Sequence, residues 1–324
     1  MRSRLRSWLK FGLSLALAVA ILALLLSRQR WSELAGTLAG VDWRWLGGVA
    51  ALAVVYWTVR TARWRWMTAI EGTKVSWGTA WTSMLAGLGI GLVTPLRGGE
   101  VVRPMFVPKG ARMRLAGWVL IERLFDLAAV LVLALLGVFY LVFAGAVRLA
   151  GGGPVPPWLL LTCPLLLAGA LAVPLLVHYR PAGLWRLLSR VLPGRAKELA
   201  EVRLHGGQFG VFFLTSLLAE TVSVLTVYFC LQAYGRIDLL TACALGPIVM
   251  LHNIIPATPG GFGLREGLAV AVYGTLKLPG LGRSAVLAAY LTNPVMVLVI
   301  PGAVGVVAAW VAGIVRELEA SDGQ

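Results

Sequence analysis

Long apolar segments, separated by short basic ones, dominate the sequence. Such segments form membrane-spanning helices, because a helix satisfies its own backbone hydrogen bonds in lipid. The pattern therefore predicts an all-α, polytopic membrane helix bundle in which 1–324 form a single membrane domain. In the last apolar segment, which contains Pro294 and Pro301, we favour one kinked crossing over two short ones. About six full spans are predicted, at 11–26, 45–59, 115–143, 158–177, 210–231 and 284–315.

Two further apolar segments are broken in the middle by glycine and proline. The first, 77–114, breaks at 94–100, and the second, 239–276, breaks at 256–263. Basic residues flank the first segment on both sides, and basic flanks are typical of the cytoplasmic face. A hairpin that enters and leaves through that face satisfies both flanks, whereas a single span does not. We therefore expect two re-entrant helical hairpins, to which the charge pattern gives opposite orientations.

The two breaks also resemble each other in sequence. Thr94-Pro95 precedes Gly98-Gly99-Glu100 in the first, and Thr258-Pro259-Gly260-Gly261 precedes Arg265-Glu266 in the second. Paired Gly/Pro interruptions in two halves of a membrane protein indicate a binding site near the bilayer midplane, formed by inverted repeats. The repeat and the opposed orientations together favour a transporter.

Composition indicates that lipid is the main solvent of the chain. Hydrophobic residues make up 59% of it and charged residues 13%, values that would force a soluble domain to expose apolar surface. The net charge is +15, which in a soluble protein would favour nucleic acid as partner. Here the basic residues lie between apolar segments, as in loops that face anionic headgroups. Membrane lipids are therefore the expected partners, and nucleic acid is not.

The basic segments also predict the orientation. Residues 1–30 combine a basic leader with an apolar run and lack a small-x-small cleavage site, so we expect a retained signal anchor with a cytoplasmic N-terminus. Loop 178–207 is the most basic, and we expect it in the cytoplasm. Arg60, Arg63 and Arg65, which alternate with tryptophans, are interpreted as another cytoplasmic flank. The expected location is the inner membrane of a bacterium.

The first break carries charges suited to an anionic ligand. Arg97, Glu100 and Arg103 lie at spacings of three and share one face if a helix resumes after Gly98-Gly99. Glycines let a phosphate approach backbone N–H groups, and arginine binds phosphate in a bidentate manner. The alternative is a cytoplasmic turn whose charges are solvated. Glu100 argues against that alternative, because a carboxylate in an apolar hairpin needs a partner.

Three further charges, Glu122, Arg123 and Asp126, occur inside a predicted span. Each costs about 2.5–3.5 kcal/mol on insertion scales, so they are expected to face protein rather than lipid. Arg123 and Asp126 can neutralise one another at i, i+3, and Glu122 can reach Arg97 or Arg103. The alternative to a transport role is a static ion-pair clamp, and both roles can coexist. Glu220 is another intramembrane carboxylate and a candidate for proton coupling.

Around the second break, Arg265 and Glu266 mirror the charges of the first. His252 and Asn253 precede the break, and an asparagine there more often satisfies freed backbone carbonyls than binds a ligand. Zinc-protease, nucleophile-elbow and phosphate-loop motifs are missing from the sequence, and its cysteines lack metal-ligand spacing. We therefore expect no cofactor, no metal site and no catalytic residue, and we interpret the chain as not an enzyme.

Taken in order, these motifs resemble a known family, the lysylphosphatidylglycerol synthase transmembrane-region family, also described as flippase-like membrane proteins. The resemblance covers about 45–315. It implies movement of an anionic phospholipid or a polyprenyl-phosphate-linked lipid between leaflets. Fused relatives carry a soluble domain that aminoacylates phosphatidylglycerol; this chain shows no such domain, so aminoacyl transfer is not expected. The resemblance rests on Pro95, Arg97, Gly98, Gly99, Glu100, Arg103, Glu122, Arg123, Asp126, Asn253, Pro256, Pro259, Gly260, Gly261, Phe262, Gly263 and Glu266.

These residues except Phe262, together with Arg265, form the predicted headgroup-binding or translocation site. Two other classes of function stay open at the level of sequence. One is a membrane enzyme that acts on a lipid-linked phosphate or sugar, with Glu100 or Asp126 as general base. The other is a non-transporting scaffold of envelope-lipid synthesis, which would bind envelope-synthesis enzymes through loop 178–207. The oligomeric state is not indicated by the sequence.

Overall fold

The computed structural model describes residues 16, 19–21, 23–27, 31–143, 162–170, 172, 206–254, 258–276 and 278–322. Every regular element in these residues is helical, which confirms the all-α prediction for them. The predicted anchor 1–30 lies largely outside the described residues, as do half of the predicted span 158–177 and nearly all of the basic loop 178–207. The helices are α1 (Trp31–Ala39), α2 (Trp43–Ile70), α3 (Trp77–Val93), α4 (Arg112–Phe143), α5 (Gly206–Tyr234), α6 (Leu239–Met250), α7 (Leu264–Thr275), α8 (Arg283–Pro294) and α9 (Ile300–Asp322).

Four helical stretches in the described part of the chain are long and apolar enough to cross a membrane. They are Trp43–Ile70, Arg112–Val142, Gly207–Tyr234 and Arg283–Gly313, and they contain the predicted spans 45–59 and 210–231 and nearly all of 115–143 and 284–315. A shorter apolar helix covers Leu239–Asn253. The chain is thus built as a multi-pass membrane protein, while the full numbers of spans and hairpins stay predictions.

Helix α2 extends well beyond the segment predicted for it. Asp42 caps its start by accepting a hydrogen bond from the Arg44 amide at 3.0 Å. The interpretation of Arg60 and Arg63 as a flank outside the span is wrong, because the helix continues through both to Ile70 and their side chains are 1% and 2% exposed. Carboxylates from other helices neutralise these charges, so the helix need not end where they begin.

Helix α3 covers the predicted stretch 77–93 from its first residue to its last. The Ser76 side chain caps its start, accepting from the Thr79 amide at 3.1 Å. At its end Thr94 is extended, as expected for a residue that precedes proline. A 3₁₀ helix, Pro95–Phe106, follows and packs against both α3 and α4; we call it the first break.

Close approach of backbones fixes α3 against α9. A Cβ atom on Gly302 would lie 2.9 Å from the Gly89 Cα, and one on Gly89 would lie 2.5 Å from the Gly302 carbonyl oxygen. Small residues permit such contact between membrane helices. On the opposite face of α9, Val304, Val307 and Trp310 are exposed. This face is apolar, as expected for a surface in contact with lipid.

A π-helical turn, Val295–Val299, joins α8 to α9. Pro301 has no N–H to donate to the Val297 carbonyl, which lies four residues earlier. The Trp57 Nε1 of α2 donates to that carbonyl instead, at 2.8 Å. The segment that contains Pro294 and Pro301 is therefore helical throughout, with a π turn between the prolines, and its single kinked crossing stays a prediction.

The described part of the second break, 258–263, leads into α7 and requires its glycines. Gly260, Gly261 and Gly263 have φ angles of 60°, 76° and 83°, a region in which side chains with Cβ are strained. The second break contacts the first break and α3, and a Cβ on Gly260 would lie 3.3 Å from the Leu92 side chain. The two Gly/Pro segments that resemble each other in sequence therefore meet in space.

Candidate functional site

Helices α2 and α4 bring two arginines and two carboxylates together in the interior. Arg63 lies 2.6 Å from Glu122 and 2.9 Å from Asp126. Arg60 lies 3.0 Å from Asp126 and 3.3 Å from Glu122. The carboxylates are 0% and 5% exposed, so each charge depends on the others for its stabilisation. The spacings of three on α2 and four on α4 place each pair on one helical face.

The first break adds Arg103 and Glu100 to this arrangement. Arg103 lies 2.9 Å from Glu122 and 3.1 Å from Glu100, and it is 1% exposed. Residues three apart eclipse one another in a 3₁₀ helix, which explains the pairing of Glu100 with Arg103. Glu122 thus receives arginines from both α2 and the first break, and it fastens the break to the bundle.

Arg123 is the most accessible charge in the group. Its side chain is 33% exposed, donates from Nε to Glu100, and lies 3.7 Å from Asp126. A small cavity of about 40 Å³ is bordered by Arg123, Glu100 and Arg60 together with apolar residues that include Trp57 and Leu92. A space of this size holds about one water molecule. The guanidinium of Arg123 is therefore accessible from outside the group.

Helix α5 completes the group with Ser216 and Glu220. The Ser216 hydroxyl accepts from Arg63 at 2.6 Å and donates to Asp126 at 2.7 Å. Among the described residues, the ion-pair partner of Glu220 is Arg60, at the longer distance of 3.8 Å. We call the eight charged residues the ion cluster: Arg60, Arg63, Glu100, Arg103, Glu122, Arg123, Asp126 and Glu220.

The second break forms a separate charge pair. The Arg265 guanidinium lies 2.8 Å from Glu266, whose other oxygen accepts from the Gly263 amide at 2.5 Å. The guanidinium carbon also lies 5.3 Å from the centre of the Phe262 ring. Among the described residues, no ion pair or hydrogen bond joins this pair to the ion cluster. It stabilises the start of α7, where an acidic side chain complements the free amides.

A larger cleft of about 650 Å³ lies at the other end of α2, beside Trp45 and Arg236. Its two acidic residues already cap helices, since Asp42 accepts from the Arg44 amide and Asp238 from the Thr241 amide. The fifteen residues from Trp45 to Arg60 correspond to about 22 Å of helix. The cleft is therefore remote from the ion cluster.

A family model for the lysylphosphatidylglycerol synthase TM region matches residues 11–305, nearly the whole chain. The chain belongs to this family. Among curated proteins, none matches it. Family membership and the four long apolar helices together identify the chain as an integral membrane protein that acts on lipids.

In this member of the lysylphosphatidylglycerol synthase transmembrane-region family, part of the predicted site is brought together. Glu100, Arg103, Glu122, Arg123 and Asp126 all join the ion cluster. The predicted contacts of Glu122 with Arg103 and of Arg123 with Asp126 are both present. Interaction across these elements was predictable because buried charges at helical spacing must pair.

The remaining predicted residues lie elsewhere or stay undescribed. Pro95, Arg97, Gly98 and Gly99 belong to the first break, where the structure describes backbone but not their side chains. Asn253 is exposed, and Pro256 lies outside the described residues. In the second break, Pro259, Gly260, Gly261 and Gly263 shape the turn, and Arg265 pairs with Glu266.

Sequence reasoning missed Arg60, Arg63 and Ser216 as members of the site. A flank rule based on local charge assigned the arginines to the interface. Their spacing of three was the available signal, because it puts both arginines on one helical face, where they can pair with carboxylates of other predicted spans such as Glu122 and Asp126. Ser216 offered no such signal, since a lone serine in an apolar helix usually bonds its own backbone.

Proposed function

We propose that this chain is a lipid translocase, which moves an anionic phospholipid or a polyprenyl-phosphate-linked lipid between leaflets. One observation carries the proposal. A buried ion cluster of four arginines and four carboxylates is partly exposed at Arg123, and it lies beside the first and second breaks, which contact each other. Charged residues inside a membrane bundle are energetically costly, and they are typical of substrate pathways. Family membership supports a lipid as the substrate.

The chemistry of recognition starts at Arg123. Its guanidinium is held by Glu100, and a phosphate offers the same oxygen geometry as a carboxylate. An entering headgroup phosphate therefore replaces Glu100 as partner of Arg123. Glu100 keeps Arg103, which lies 3.1 Å away, so its charge is not left unpaired. The exchange links headgroup binding to a movement of the first break, which carries Glu100.

The buried members of the ion cluster have a different role in this proposal. Arg60, Arg63 and Arg103 each hold at least one carboxylate within 3.3 Å, and none is more than 2% exposed. They hold the helices in one arrangement and keep the pathway electrically balanced. We further propose that the protein needs no cofactor and catalyses no covalent reaction, and that it resides in a bacterial inner membrane with its N-terminus in the cytoplasm.

The test is leaflet-resolved movement of labelled lipids in liposomes that contain the purified chain. Separate preparations carry an anionic phospholipid, a polyprenyl phosphate or a zwitterionic phospholipid. Arg123→Gln is expected to abolish movement of the anionic lipids. Arg114→Gln is the matched control on the same helix, because that arginine is 46% exposed and pairs with Glu71 outside the ion cluster.

Each outcome assigns a function. Movement that is lost in Arg123→Gln and kept in Arg114→Gln supports translocation through the ion cluster. A protein of normal thermal stability that moves none of the lipids contradicts the proposal. In that case formation of a new lipid product would favour the enzyme, and co-purification of an envelope-synthesis enzyme would favour the scaffold.

A further inference from the structure

Among the carboxylates of the ion cluster, Glu220 has the weakest contacts with cations and hydrogen-bond donors. Asp126 has Arg63 at 2.9 Å and Arg60 at 3.0 Å, and it accepts from the Ser216 hydroxyl at 2.7 Å. Glu220 has Arg60 at 3.8 Å, beyond hydrogen-bond distance, although its side chain is only 7% exposed. Burial disfavours a charged carboxylate, and only close partners reverse that preference.

The surroundings of Glu220 offer no better partner. Helices α2, α4, α6 and α8 are the main elements packed against α5. Tyr56, Arg60 and Arg63 of α2 and Arg123 and Asp126 of α4 interact electrostatically with Glu220, and Arg60 comes within 3.8 Å of it. Helix α6 carries no charged residue, and α8 carries only Arg283, at its first position. Within the part of the chain that the structure describes, the cation nearest to Glu220 is Arg60, which is already bonded to Asp126.

Charge balance gives this weak pairing a consequence. The ion cluster contains four arginines and four carboxylates, so it is formally neutral when all are ionised. A proton on Glu220 gives it a net charge of +1. An anionic headgroup at Arg123 restores neutrality, because it adds the negative charge that the proton cancelled. Proton binding and phosphate binding therefore favour each other, and by linkage each increases the affinity for the other.

We infer that Glu220 is a proton site coupled to the anionic lipid, so that the protein moves one proton with each lipid in the same direction. The inference rests on the proposed translocase function and assigns its energy source. The proton comes from water and binds the Glu220 carboxylate as the headgroup engages Arg123. It leaves on the other side together with the lipid, and Arg60 then again faces an ionised Glu220.

A first experiment detects the proton without transport. Infrared difference spectra of the purified full chain in lipid nanodiscs are recorded as the pH is changed. We expect a protonated-carboxyl band that titrates, that grows when anionic lipid is added, and that is missing in Glu220→Gln. Glu71→Gln is the control, because Glu71 binds Trp118 and Arg114 away from the ion cluster. The same titrating band in Glu220→Gln would overturn the inference.

A second experiment measures the coupling. In liposomes with a pH difference of one unit, one proton per lipid drives the leaflet ratio of the anionic lipid to about tenfold. Glu220→Gln is expected to equilibrate the lipid to equal leaflets and to carry no protons, as read by a pH-sensitive dye in the lumen. Lipid movement in the wild type with a ratio of one overturns the coupling and leaves the translocase intact. No lipid movement in the wild type overturns both.

Discussion

Arg63 and Glu122 lie 2.6 Å apart although 59 positions separate them in the chain. The first belongs to α2 and the second to α4, and both side chains are shielded from solvent. Their contact joins two helices that the apolar pattern alone would leave free to rotate against each other. It also shows why these charges persist in a membrane domain: each is the counter-ion of the other.

Removal of Glu122 should destabilise the protein strongly. Glu122→Leu leaves Arg63 and Arg103 with one close partner fewer each, in an environment that does not solvate them. Breaking a buried ion pair by deleting one member costs about 3–5 kcal/mol. Thermal unfolding in detergent, compared with Glu71→Leu at the partly exposed end of α2, measures the effect. Equal melting temperatures for the two variants would show that the ion cluster contributes little to stability.

The Ser216 hydroxyl should matter more than its neighbour on the same helix. Ser216→Ala removes the acceptor of an Arg63 hydrogen bond and a donor to Asp126, and an unmet buried polar group costs about 1–3 kcal/mol. Thr215→Val is the control, since Thr215 is half-buried and its hydroxyl donates to backbone carbonyls of α5. We expect a lower melting temperature for Ser216→Ala alone. A larger loss in Thr215→Val would contradict the hydrogen-bond assignment.

A large side chain at the contact between α3 and α9 should destabilise the protein. Gly302→Leu forces a side chain against the Gly89 backbone, and overpacking of this kind costs about 1–3 kcal/mol. Gly313→Leu, on the same helix, is the control, because nothing lies within 4 Å of a Cβ at that position. Folded yield and melting temperature should fall only for Gly302→Leu. Tolerance of leucine at both positions would mean that α3 and α9 do not pack as described.

The second break offers a way to separate strain from collision. Gly260 and Gly72 both have positive φ, 60° and 71°. Gly72→Ala is expected to lower the free energy of unfolding by about 1–2 kcal/mol through backbone strain alone, because its Cβ meets open space. Gly260→Ala introduces the same backbone strain and also places a Cβ 2.8 Å from the Phe262 ring. We expect the larger loss of stability, and slower lipid movement, for Gly260→Ala. Identical behaviour of the two variants would remove any special role of the second break.

The parts of the fold that were predictable are those with local causes. The bounds of α3 follow from a serine cap at one end and a proline at the other. The apolar pattern predicts the helices α4, α5 and α9, because a segment that crosses lipid must be both long and apolar. The pairing of Glu122 with Arg103 was also accessible, since an intramembrane carboxylate must meet a cation.

What escaped prediction depends on partners distant in sequence. Arg60 and Arg63 match a cytoplasmic flank in every local respect, and only the acids of α4 make them interior residues. Arg265 and Glu266 show the opposite relation between sequence and structure. They mirror the first break in sequence, but adjacent charges that pair with each other have no need to reach a distant site.

The hydrogen bond from Trp57 to the Val297 carbonyl has a mechanical consequence. Because Pro301 cannot serve that carbonyl, the indole is its substitute donor, and the same indole forms part of the wall of the small cavity beside Arg123. A headgroup that pushes Trp57 aside would leave the carbonyl unserved and loosen the bend of the last helix. In the proposed translocase, displacement of this indole would therefore couple occupancy of the cavity to the conformation of the C-terminal helix.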